Sequence, residues 1–63
     1  MIALNSSAIA AVDYDTATGS LIVEFRTGRT YTHPDVPVEV FLELVNASSA
    51  GHYYNAHIRG QYR

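Results

Sequence analysis

Hydrophobic and polar positions divide the chain into an alternating half and a helical half. Residues 21–26 alternate cleanly, with Leu21, Val23 and Phe25 on one side and Ile22, Glu24 and Arg26 on the other. That period of two marks a half-buried strand. Residues 7–14, rich in small and β-branched side chains, predict a strand before it. Ile9 lies an odd number of residues from Val12 and Tyr14, so the three share a face only if a bulge falls near Ala10–Ala11. Residues 15–20 form a turn in which Gly19 supplies a positive φ. Thr27-Gly28 turns the chain again, and residues 29–33 make a third strand. Short turns between successive strands give an antiparallel meander.

The segment His33-Pro-Asp-Val-Pro37 stops the sheet. Asp35 suits an N-cap and Pro37 the first helical turn, where a missing N–H costs little, so a helix is expected over about 36–46. Val38, Phe41, Leu42 and Val45 fall at i, i+3, i+4 and i+7 and give it an apolar stripe, with Glu39 and Glu43 in solvent. Ser48-Ser49 offers the N-cap of a second helix over about 50–60. At about 100° per residue, Tyr54, Ile58 and Tyr62 gather with Ala50 and Gly51 on its buried side. His52, Asn55, Arg59 and Arg63 line the adjacent side, and Tyr53, His57 and Gly60 the other edge. Of the adjacent tyrosines, Tyr54 is expected in the core and Tyr53 partly exposed. The expected fold class is α+β, a three-stranded antiparallel meander followed by two helices packed on or beside the sheet, as one domain over residues 1–63.

Composition narrows the chemistry. Sixty-three residues leave room for one core. A chain this short buries only about 60% of its unfolded surface, so stability is marginal and oligomerisation is the expected remedy. There is no cysteine, which removes disulfides and thiolate sites. His33, His52 and His57 lack the i, i+4 pairing that presents two metal ligands on one helix face, so no metal and no cofactor is expected. No apolar stretch approaches the ~20 residues of a membrane span. The first residues lack the basic start and long apolar run of a signal peptide. The chain therefore reads as a complete small cytoplasmic protein.

Charge is unevenly spread. Residues 1–45 carry a net −4, whereas residues 46–63 carry +2 and no acid, within an overall −2. In that tail Arg59 and Arg63 supply forked donors that match phosphate, and Asn55 and His52 can hydrogen-bond a base or sugar. The competing explanation pairs Arg59 with Glu39, Glu43 or Asp13. Tyr31 and His33 share a face of the third strand beside Arg29, an arrangement able to stack bases; ordinary core packing would also explain it. Tyr53 is either a stacking surface or an oligomer contact. Asp13 and Asp15, two apart, resemble a general acid–base pair. A turn explains them more cheaply. No serine sits in a nucleophile elbow and Gly28 stands alone, so no catalytic residues are assigned and no enzyme is expected.

These residues together resemble the KTSC domain family. The matching pieces are Ser6-Ser7-x-Ile9, Val12-x-Tyr14-Asp15, Leu21-x-Val23-x-Phe25, Gly28-x-x-Tyr31, Val36-Pro37 and Ser49-Ala50-Gly51-x-Tyr53-Tyr54-Asn55-x-x-Ile58-Arg59, across roughly residues 6–62. The last run is the most specific. Where the family favours Tyr-x-Tyr in the central strand, this chain has Tyr31-Thr32-His33. The family is named for its occurrence at the C-terminus of some lysyl-tRNA synthetases and also exists as stand-alone bacterial or phage proteins. The resemblance implies a small sheet-plus-helix fold, no established catalysis and a suggested link to RNA.

The expected function is a non-enzymatic binding module for a nucleotide-containing ligand. Its site residues are Arg59, Arg63, Asn55, His52, Tyr53, Tyr31, His33 and Arg29. Four arginines in an acidic chain suit a short RNA element or a small phosphorylated nucleotide better than a long RNA. The ligand could lie at a homo-oligomer interface. The rival expectation is a protein-interaction module, an adaptor or inhibitor, since Tyr and Arg also dominate interface hot spots.

Overall fold

The computed structural model describes residues 1–62. Its sheet has four antiparallel strands in the order β1-β2-β3-β4: β1 Ile2–Ala3, β2 Ile9–Asp15, β3 Ser20–Phe25 and β4 Thr30–His33. The meander of β2, β3 and β4 matches the pattern of the sequence. The fourth strand corrects it. Ile2 and Ala3 pair with Val12 and Ala11, and the Leu4 N–H continues the connection to the Ala10 carbonyl at 2.9 Å. A two-residue edge strand is too short to show a period, so nothing in the pattern announced it.

The bulge falls where the apolar positions require it. Register shifts between Ile9 and Ala11, so that Ile9 opposes Phe25, Val12 opposes Val23 and Tyr14 opposes Leu21. Opposed residues share a face, and one extra residue therefore brings Ile9, Val12 and Tyr14 to the same side. That side meets the helices. Ile9, Val12, Leu21 and Val23 are all fully buried there.

Helix α1 spans Val38–Asn46 and α2 spans Ala50–Tyr53, continuing as a π-helical turn over Tyr54–Ile58. Asp35 does not cap α1 as expected. It has φ 56°, and Pro37 is the N-cap, with no side-chain hydrogen bond. The cause is the preceding loop. The Val36 N–H donates to the Gly19 carbonyl at 2.8 Å, and its carbonyl accepts the Tyr14 hydroxyl. Val36 is thus fixed in an extended, buried conformation against the β2–β3 turn, and the helix starts only beyond Pro37. Gly19 itself has φ 73°, as the turn demands.

The apolar stripe of α1 is also rotated from expectation. Leu44 is buried and Val40, Phe41 and Val45 are partly so, while Val38 and Leu42 are 42% and 50% exposed. Six of the nine residues are apolar, in an arc of about 200° at 100° per residue, too wide for one contact face. Stacking of Phe41 on Tyr14, with ring centroids 5.2 Å apart, selects the Val40–Leu44 side. In the second helical segment Ala50, Tyr54 and Ile58 are buried as expected, and Ser49 Oγ accepts the His52 N–H at 3.2 Å. The segment stops at Ile58, short of residue 60, because Arg59 is extended and Gly60 has φ 81°.

Candidate functional site

The helix-facing side of the sheet extends past the core at the β3–β4 end. Val23 opposes Tyr31 and Leu21 opposes His33, so both ring-bearing residues of β4 face the helices. Phe25, at the end of β3, belongs to the same face. These residues and the π turn enclose an open groove of about 440 Å³ lined by Phe25, Thr27, Arg29, Tyr31, His33, Tyr54, Asn55 and Arg59.

Its floor is aromatic. The Phe25 ring meets Tyr31 at 5.6 Å and Tyr54 at 5.1 Å, both edge-on. Tyr54 is buried, whereas Tyr31 remains 45% exposed. His33 closes one end: Nδ1 lies 3.0 Å from the Tyr62 carbonyl and Nε2 lies 2.8 Å from the Tyr54 hydroxyl. A carbonyl only accepts, so Nδ1 carries the proton in the neutral ring and Nε2 accepts from Tyr54. His33 is thereby fully engaged as a tie between β4, the π turn and the chain end. Burial pushes the Tyr54 hydroxyl above its ordinary pKa of 10.0, helped by nearby Tyr31, while the Arg59 charge pulls the other way. No lining residue is acidic.

The π turn sets this arrangement. The Arg59 N–H donates to the Tyr54 carbonyl at 2.8 Å, closing a turn wider than an α-helical one. Tyr54 and Ile58 stay buried across it, and Asn55 and Arg59 both reach the groove.

Five of the residues expected from sequence meet here: Arg29, Tyr31, His33, Asn55 and Arg59. Two do not. His52 is exposed at the start of α2, outside the groove lining. Tyr53 turns toward α1, where its hydroxyl donates to Glu43 at 2.6 Å and its ring lies 4.6 Å from His57. A uniform helical wheel placed His52 beside Asn55 and Arg59, but residues 50–53 precede the π turn that orients those two; Tyr53 lies beside His57, on the other edge where the wheel put it. Arg63 lies outside the described residues. Phe25, Thr27 and Tyr54 were missed as lining residues. The hairpin register holds the signal for Phe25, whose N–H donates to the Arg29 carbonyl at 2.8 Å across the Thr27-Gly28 turn.

Two of the three acids expected as partners of Arg59, Glu43 and Asp13, have other contacts. Glu43 is taken by Tyr53. Asp13 accepts the adjacent Tyr14 N–H and Asp15 the Ala17 N–H, both at 2.9 Å, on the sheet face opposite the groove. Arg26 spends its guanidinium on the carbonyls of Ser6 and Leu4, each at 2.9 Å. Among the described residues there is no group of three or more potential metal ligands, and no helix is long and apolar enough to cross a membrane.

A small α+β module with a bulged meander, two helical segments and an aromatic, arginine-flanked groove is the class these features define. The chain belongs to the KTSC domain family, whose model matches residues 5–62. It is similar to a crystal structure of a KTSC domain protein from Yersinia pestis, with a TM-score of 0.93 and 28% identity over 97% of this chain and 86% of that one. A protein of Tsukamurella paurometabola is 40% identical over 60 residues, covering 95% of this chain and 90% of its own length. A lysine–tRNA ligase of Nostoc sp. is also 40% identical, over 57 residues, but the match covers 90% of this chain and only 10% of the ligase.

Proposed function

We propose that the chain is a non-enzymatic binding module for a nucleotide-containing ligand, a short RNA element or a small phosphorylated nucleotide, held in the β3–β4 groove. The observation that carries this reading is the lining itself. Aromatic rings, two arginines and an amide converge in one groove without a carboxylate. Rings offer stacking, guanidinium forks match phosphate oxygens, and Asn55 can pair with a base edge. The lysine–tRNA ligases among the relatives act on an RNA, which supports the ligand class. The Asp13–Asp15 pair, the one acid–base candidate of the sequence, lies on the other face of the sheet.

Native mass spectrometry tests the reading directly. The protein is sprayed at low salt with nucleoside monophosphates, cyclic dinucleotides and short RNAs. Addition of a defined mass is expected, and its loss in the Arg29→Ala and Arg59→Ala variants. No added mass from any probe overturns the reading. The same spectra report whether the binding form is a homo-oligomer, which we also propose. The exposed pair Val38 and Leu42, one turn apart on α1, favours a second reading in which the chain docks on another protein. Such docking would survive the arginine substitutions and fail when Leu42 is changed.

A further inference from the structure

We infer that the groove takes a single nucleotide unit bearing its phosphate, either free or as one residue of a flexible strand, and does not follow a strand from base to base. This rests on the nucleotide reading above and adds the size of the ligand.

Three observations limit the ligand to one unit. The first concerns rings. Sheet-based readers of single strands display successive exposed aromatics, each taking a base. Here Tyr54 is buried and its hydroxyl is committed to His33, while Phe25 is partly buried and packed near-perpendicular to the rings of Tyr31 and Tyr54. Tyr31, 45% exposed, is the ring left with a free surface. His33 occupies the next position on that face of β4, where its ring is half-buried and tilted against Tyr54 with centroids 5.5 Å apart.

The second concerns charge. Arg29 and Arg59 serve the groove, and Arg26 is held by the Leu4 and Ser6 carbonyls. Among the described residues no further arginine is free to hold a second run of phosphates, and the exposed charged side chains elsewhere include Asp13, Asp15, Asp35, Glu39 and Glu43.

The third is volume. The groove measures about 440 Å³, toward the lower end of the ~300–1,000 Å³ range of small-molecule sites.

The test measures affinity for adenosine 5′-monophosphate and for single-stranded oligoadenylates of two, four and eight units, by calorimetry at several salt concentrations. Affinity per unit is expected to stay within about threefold from monomer to octamer. The octamer's log–log salt slope should be no steeper than about −1.4, the value for two neutralised phosphates on a single strand. Arg29→Ala and Arg59→Ala should each weaken monomer and octamer by the same factor. Affinity per unit that climbs about tenfold or more with length, a slope well beyond −2, or binding of the octamer without the monomer overturns the single-unit inference and leaves the nucleotide reading standing. Failure of monomer and octamer alike overturns both.

Discussion

The hydroxyls of the adjacent Tyr53 and Tyr54 are both held, one by Glu43 across the helix pair and the other by His33 across the groove. Their surroundings act on ionisation by different routes. For Tyr53 the main cause is the hydrogen bond to the Glu43 carboxylate, with burial and the carboxylate charge adding to it, and the pKa is pushed up to about 12 from an ordinary 10.0. The folded chain thus keeps this proton when the unfolded chain has lost it. The contribution to stability is whole below pH 10 and is lost as pH rises through about 12. Ultraviolet titration of tyrosinate should show a step near pH 12 that belongs to Tyr53, beside a Tyr54 that is itself raised by burial. Tyr53→Phe should delete it, and Glu43→Gln should bring it back toward 10. A titration unchanged by Glu43→Gln would sink this account of the helix clamp.

At the scale of elements, the residue that leads into β2 packs against Gly51 of α2. A Cβ there would lie 3.2 Å from the Cβ of Ala8, just before β2. Ala8 cannot easily retreat, because its carbonyl accepts the Arg26 N–H at 2.9 Å. Two effects therefore oppose each other in Gly51→Ala: a helix-propensity gain of up to ~1 kcal/mol and the crowding of an anchored neighbour. We expect crowding to win, with a net loss of about 1 kcal/mol in urea unfolding that is recovered on adding Ala8→Gly. A stabilised single variant, or no coupling between the two sites, would refute it. The elements themselves were unequally legible in the sequence. Alternation at residues 21–26 revealed β3, and the odd spacing of Ile9 and Val12 revealed the bulge, because a buried face punishes a slip of one residue. The π turn left no such mark. Its donor and acceptor are backbone groups, and a residue spacing of four between Tyr54 and Ile58 serves an α turn equally well. Hence Tyr54 and Ile58 were placed correctly in the core, while the grouping of His52 with Asn55 and Arg59 failed. In α1, six apolar residues allowed several stripes, and the choice rests on partners distant in sequence, such as the ring of Tyr14 on β2.

At the scale of the whole molecule, the question is how much of the apolar surface the chain satisfies by itself. Its accessible surface is 4060 Å² for a mass of 6.9 kDa. Ordinary monomers of that mass expose about 4,000 Å², so the fold hides as much surface as its size normally allows. The remainder of the apolar content lies outside, and α1 shows the division within one helix. Leu44 is fully buried and Leu42, two residues earlier, is 50% exposed. Truncating each to alanine therefore separates internal from external demand. Leu44→Ala should cost about 2–5 kcal/mol whatever the protein concentration. Total stability for a chain of this length is roughly 3–9 kcal/mol at ~0.05–0.15 kcal/mol per residue, so that one change removes a large part of it. Leu42→Ala should cost less than about 0.5 kcal/mol in a monomer. If copies associate through the outer edge of α1, its cost must instead grow as the protein is concentrated, because association adds to stability by mass action. Thermal unfolding of both variants over a hundredfold concentration range decides the matter. A midpoint independent of concentration in the parent chain and in Leu42→Ala would mean that this face is not the seam of an oligomer, and a groove ligand would then have to be held by the residues of one chain alone.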